Sequence, residues 1–268
     1  MTPSRDPPRE PPRKPPGLLA ALYAAYSLFL FALLSLGILV LILPVPWLDA
    51  RRRMVHCTAR LWLWASGRRL KVQHGEHLPE GPCIVVANHT SYLDGIVLCA
   101  ALPPRFGFVI KREMSHVPLA NLLLRRIGSQ YVDRGQGHKG ARDTRKLLRK
   151  AHAGDGLAFF PEGTFHRTPG LMPFRNGAFA VAARAQLPVV PVAIRGTRAA
   201  LPPGSMMLRP GRIEVEIAPP LAAPPPGDDA AAELVKQAAR GAVLQRITEP
   251  DLAGDQDARI SRSRDTPA

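Results

Sequence analysis

The segment Asn88-His89-Thr90-Ser91-Tyr92-Leu93-Asp94 sets an imidazole five residues before a carboxylate, a pair suited to general base chemistry. The apolar run Ile84–Ala87 before it has the composition of a strand, and Gly95-Ile96-Val97-Leu98 after it suits a short helix. In one continuous helix Asp94 would turn off the face carrying His89, because only residues three and four apart are neighbours. His89 is therefore expected to precede the helix. Ser91 and Asp94 then read as N-cap and N3, a relative of the capping box, with the loop turning the imidazole back to the carboxylate. Asp94 would fix the tautomer and stabilise the imidazolium that forms when His89 takes a proton. A capped helix whose histidine is hydrogen-bonded but does no chemistry is the competing reading. No serine or cysteine stands in a G-x-S-x-G elbow.

Three further blocks suit the same site. The strand candidate Gly156–Phe160 runs into Pro161-Glu162-Gly163-Thr164, where Pro161 stops ladder pairing and Gly163 permits a positive φ or a close backbone approach. Thr164 and the backbone amides of this loop can receive an anion. Ser129–Gly135 repeats the pattern, and the planar fork of Arg134 matches phosphate oxygens. Leu187–Ile194 reads as a buried strand that forms a wall. Open α/β sheets place ligand loops at the carboxyl ends of their strands.

These four blocks, in this order, resemble the glycerolipid acyltransferase family, in which bacterial 1-acyl-glycerol-3-phosphate acyltransferases are typical, and the resemblance spans residues 80–220. Asn88–Asp94 matches the H-x4-D block and Tyr131-Val132-Asp133-Arg134 the phosphate-binding block; Phe160–Thr164 matches F-P-E-G-T and Val190–Ile194 matches V-P-V-A-I. The resemblance implies acyl transfer from a thioester to the free hydroxyl of a lysophospholipid, here 1-acyl-glycerol-3-phosphate, giving phosphatidic acid. His89 would be the general base and Asp94 its partner, and no acyl-enzyme forms. Acyl-CoA or acyl carrier protein thioester is the co-substrate, with no other cofactor. Arg134, Lys111 and the Glu162-Gly163-Thr164 loop would hold the phosphate and glycerol. Lys111 is alternatively a solvated surface lysine. Glu162, itself an anion, is expected to orient Arg134 or accept from the glycerol hydroxyl rather than touch phosphate. Many relatives carry Arg-Ser where this chain has Phe165-His166-Arg167. That departure leaves the head group open between 1-acyl-glycerol-3-phosphate and glycerol-3-phosphate or a lyso-aminolipid, with a non-catalytic lipid-binding protein as a further alternative.

The elements that must position these residues form an expected α/β fold: a mixed, largely parallel sheet flanked by helices, preceded by a membrane-associated helix or helix pair. A Pro/Arg-rich arm over 1–16 holds seven prolines and precedes a membrane segment at 17–69, an acyltransferase domain at 70–249 and a loose tail at 250–268. Leu18–Leu43 comprises 26 uncharged, mostly apolar positions. As a helix it is long enough for a hydrocarbon core of about 30 Å. It exceeds the roughly 7 to 15 apolar residues of a secretory signal. Trp62 and Trp64, with Arg51–Arg53 and Arg60, suggest an interfacial segment. A single span and a monotopic helix pair both fit. The inferred chemistry points to the inner, cytoplasmic membrane with the catalytic domain on the cytoplasmic side, where acyl thioesters are made.

The net charge is +15, and the stretch 105–150 holds 12 Lys and Arg against three acidic residues. A helix from His138 to Lys150 would present much of that charge to anionic lipid, acyl carrier protein or coenzyme A phosphates, or simply to water. Nucleic acid is excluded as a partner by an aromatic content of 6% and the lack of a reading module. Cys57, Cys83 and Cys99 lack paired spacing and read as free thiols. The eight scattered histidines suggest no metal site.

Overall fold

The computed structural model describes residues 17–132 and 138–253. Its strands are β1 (Arg68–Gln73), β2 (Ile84–Ala87), β3 (Phe106–Lys111), β4 (Gln130–Val132), β5 (Gly156–Phe159), β6 (Val189–Arg195) and β7 (Gly211–Ile217). They form one sheet in the order β1-β7-β6-β2-β5-β3-β4. All neighbours are parallel except β6 and β7, so the sheet is mixed and largely parallel, as expected from the sequence. Each residue of β2 is buried, which its β-branched run suits because helices cover both faces of a parallel sheet. Val85 aligns with Ala158 on one side and Val190 on the other. The carboxyl ends of β2 to β6 therefore leave the sheet at one edge.

The helices are α1 (Leu18–Ile42), α2 (Leu48–Ala65), α3 (Asp94–Ala101), α4 (Pro118–Arg126), α5 (His138–His152), α6 (Gly177–Ala185), α7 (Thr197–Ala200) and α8 (Asp229–Leu244). Trp62 and Leu63 of α2 pack with Val97 and Leu98 of α3 on one sheet face, against Val85 and Val190. Leu147 of α5, Phe179 of α6 and Val243 of α8 pack on the other face, against Ile84 and Leu157. In β7 the alternation places Ile213, Val215 and Ile217 inside, while Glu214 and Glu216 each pair with Arg195 at 2.9 Å.

One local reading needs correction. Helix α3 starts at Asp94 rather than at Ser91. Half of the capping box exists, since Asp94 Oδ2 accepts from Ser91 N at 2.8 Å, but the Ser91 hydroxyl donates to Leu201 O at 2.8 Å. Its oxygen accepts from Leu93 N at 3.2 Å, so it turns the loop before the helix instead of capping the Asp94 amide. Residues 250–252 lie against the domain, since Leu171 N donates to Pro250 O and Leu252 N to Leu171 O.

Helices α1 and α2 form a pair, bonded to each other at one end and fastened to the domain at the other. Tyr23 donates to Ser66 O at 2.6 Å and Trp62 Nε1 to Ser27 O at 3.2 Å. At the far end Arg126 donates to the Ile42, Leu43 and Val45 carbonyls, satisfying acceptors that a helix C-terminus leaves open. The side of α1 away from the domain is apolar and exposed, including Leu19, Phe29, Leu33 and Leu41.

Candidate active site

β2 ends at Ala87, and Asn88 extends its ladder by one step. The Asn88 side chain accepts from Ile194 N at 2.7 Å and donates to Ile194 O at 2.9 Å, standing in for a strand residue opposite β6. The chain then turns, and His89 leaves the sheet. Its Nδ1 lies 2.9 Å from Asp94 Oδ2, which also accepts from Thr90 N at 2.6 Å and Ser91 N at 2.8 Å. A carboxylate can only accept, so Nδ1 carries the proton and Nε2 keeps its lone pair. The Asp94 side chain is 0% exposed and that of His89 is 19% exposed. Asp94 Oδ1 is buried and has no hydrogen-bond partner among the described residues. An imidazolium beside this carboxylate would offset charge that the fold leaves partly uncompensated.

The loop after β5 closes over the other side of the imidazole. Phe160 stacks on His89 with centroids 4.3 Å apart, and Phe165 meets it edge-on at 4.6 Å. Tyr92 in turn meets Phe165 at 4.8 Å. Gly163 adopts φ +83°, a conformation L side chains resist. Its N–H donates to Phe160 O at 3.0 Å, which closes the turn. Thr164 is exposed at the loop surface.

The expected partner of Glu162, Arg134, lies outside the described residues, and the contacts the structure gives Glu162 are to backbone. Its side chain is buried, with Oε1 accepting from His89 N at 2.6 Å and Oε2 from Met172 N at 2.8 Å. Both oxygens are turned to the backbone, so Glu162 ties the loop to the residue that carries the imidazole. Burial pushes its carboxyl up to about 8, against the opposing pull of the Met172 and His89 amides and with the Asp94 and Glu249 charges adding to the rise. Sequence reasoning placed Glu162 at the site but could not see these donors, because Met172 is brought there by the fold.

Lys111 ends β3 at the same sheet edge, exposed and 2.8 Å from Glu113. Arg134 lies outside the described residues. The contacts of Phe160 and Phe165 with His89 were not anticipated, although both residues lie in or beside the F-P-E-G-T block. The three cysteines are free, and burial pushes Cys83 up to about 11 and Cys99 up to about 12, so neither offers a thiolate. Among the described residues His74, Glu76 and His77 have ligand atoms within 4.8 Å of one another. Their two rings stack at 5.2 Å and 19°, so the in-plane lone pairs run side by side instead of converging on one ion.

The profile of the Acyltransferase family matches residues 69–195. A 1-acyl-sn-glycerol-3-phosphate acyltransferase of Chlamydomonas reinhardtii is 32% identical over 245 residues, covering 88% of this chain and 71% of that protein. A chloroplastic 1-acyl-sn-glycerol-3-phosphate acyltransferase of Brassica napus is 31% identical over 64% of this chain and 51% of its own, so the chain spans about half the length of that relative. The crystal structure of the 1-acyl-sn-glycerophosphate (LPA) acyltransferase from Thermotoga maritima shares the fold, with a TM-score of 0.69 at 21% identity over 86% of this chain and 96% of that one.

Proposed function

This chain belongs to the acyltransferase family, and from that premise we propose that it acylates the free hydroxyl of 1-acyl-glycerol-3-phosphate, using an acyl thioester and giving phosphatidic acid. The donor is acyl-CoA or acyl carrier protein thioester. The observation that carries the reading is the His89 Nδ1 to Asp94 Oδ2 contact of 2.9 Å at the carboxyl end of β2. Nε2 takes the hydroxyl proton as the oxygen attacks the thioester carbonyl carbon. The carbon–sulfur bond breaks as the tetrahedral intermediate collapses, and the imidazolium returns its proton to the departing sulfur. A positioned base of this kind contributes about 10²–10⁴-fold, and holding two substrates together supplies much of the rest. Phe160 and Phe165 hold the ring plane, and Glu162 holds the backbone beneath it. Lys111 and Arg134, with the Thr164 amide of the turn that Gly163 shapes, take the acceptor phosphate. A guanidinium binds two phosphate oxygens at once.

The acceptor is an amphiphile, and the exposed side of α1 suits a lipid surface. The Tyr23–Ile42 stretch lies along α2 and is bonded at one end to Ser66, the cap of α2, and at the other to Arg126 of the domain. A perpendicular span would carry these polar contacts into hydrocarbon, which is costly. The helix pair therefore lies in one leaflet of the cytoplasmic membrane, with the domain on the cytoplasmic side. The test is to incubate the detergent-solubilised chain with 1-acyl-glycerol-3-phosphate and acyl-CoA, then with acyl carrier protein thioester, and to measure diacyl product and free thiol. Equal amounts of the two are expected with at least one donor. Neither product with either donor would overturn the assignment of this acceptor.

A further inference from the structure

Helix α4 connects β3 to β4 and has no buried residue. Leu123 and Leu124 on its inner side pack on Ile38 and Ile42 of α1. The outer side is open: Leu119 is 63% exposed and Leu122 40%, and Met114 and Val117 just before them are exposed too. Leu122 and Arg126 are four residues apart and share a face. Arg126 reaches the Ile42 carbonyl at 3.0 Å, so the open stripe abuts the end of α1, where Val40, Leu41 and Leu43 are exposed. The two helices thus present one continuous apolar surface, and such a surface marks an interaction face.

The rim of this surface is basic. Arg125 and Arg53 are exposed. Arg51 is held below the ordinary arginine range by burial and by the neighbouring Arg126 and Arg52 charges. Arg52 is taken up by Asp155 at 2.6 Å and Arg126 by the α1 carbonyls, so the charge of this rim toward a lipid surface comes from Arg51, Arg53 and Arg125.

We infer that residues 112–126 are a second lipid-contacting element, seating Leu119 and Leu122 in the acyl region of an anionic phospholipid leaflet while Arg51 and Arg125 meet its head groups. This deepens the proposed function and rests on its membrane reading. Because residue 112 follows directly on the carboxyl end of β3, the element brings the leaflet up to the sheet edge that carries His89. A lysophospholipid would reach the site laterally, its head group rising past Lys111, without leaving the lipid.

The test compares two variants of the full chain, Leu119→Trp and Leu234→Trp. Leu234 is exposed on α8, across the sheet from α2 and α3. Both variants are reconstituted into phosphatidylcholine vesicles with and without phosphatidylglycerol, with acyl chains either brominated or plain. Unfolding midpoints equal to the parent's establish that each variant folds. The emission added by Leu119→Trp should be lost to bromine, more completely with phosphatidylglycerol present, while that added by Leu234→Trp is kept. Retention of the Leu119→Trp signal while the native tryptophans are quenched would overturn the inference, leaving lipid contact to α1 and α2 and a protein partner for α4. Equal loss without phosphatidylglycerol would overturn its anionic part. Unquenched native tryptophans would remove the membrane reading itself. No arm requires turnover, so failure of the acceptor assignment is seen separately.

Discussion

Replacing Glu162 with Gln changes one end of a side chain and probes the link between the F-P-E-G-T loop and His89. In the parent two buried oxygens accept from His89 N at 2.6 Å and Met172 N at 2.8 Å. Glutamine offers one acceptor and one donor, so one backbone N–H must face another. An unpaired buried donor costs about 1–3 kcal/mol, a large share of a total stability of about 5–15 kcal/mol. If the amide lies against His89 N, the imidazole is displaced, and a shift of about 1 Å can cost about 10²-fold in rate. The pH dependence sharpens the test. The Glu162 carboxyl rises from its ordinary 4.5 to about 8 on folding, so the folded chain binds this proton more tightly than the unfolded chain. Its contribution is full below 4.5 and is lost as pH climbs to about 8. Glutamine does not titrate. Urea unfolding of parent and variant at pH 5 and pH 8 reads both effects. The stability gap in favour of the parent should be wider at pH 5 and narrower at pH 8. A gap that stays constant or widens with pH would refute the reasoning.

Asp94→Asn should lower kcat by about 10²–10⁴-fold, because an amide can donate to Nδ1 and reverse the tautomer; steady-state rates of a variant with parental circular dichroism check this. Asn88→Ala leaves the N–H and C=O of Ile194 without their side-chain partners, and about 2–4 kcal/mol should be lost from two buried groups. Denaturant midpoints read that loss. Gly163→Ala forces a side chain into φ +83° and should cost about 1–2 kcal/mol, measured in the same way.

Much of the sheet was legible because buried parallel strands are short β-branched runs. Ile84–Ala87 and Val189–Arg195 stand out from the sequence on that ground. β1 did not. Arg68–Gln73 is rich in charge, as suits an edge strand, and so it offers no apolar run to read. His89 and Asp94 were legible as a pair from spacing and flanking apolar runs. Glu162 was legible as a position but not as a contact. Its partners His89 N and Met172 N are backbone groups, which carry no residue-type signal, and they lie 73 and 10 residues away. The Asn88 bridge to Ile194 was hidden for a similar reason, since it spans 106 residues.

The central claim is that His89 is the base, and His89→Ala tests it most directly. Parent and variant, matched in unfolding midpoint, would be given 1-acyl-glycerol-3-phosphate and acyl thioester, with diacyl product measured over a pH series. A fall of about 10²–10⁴-fold is predicted at every pH. Equal rates would contradict it.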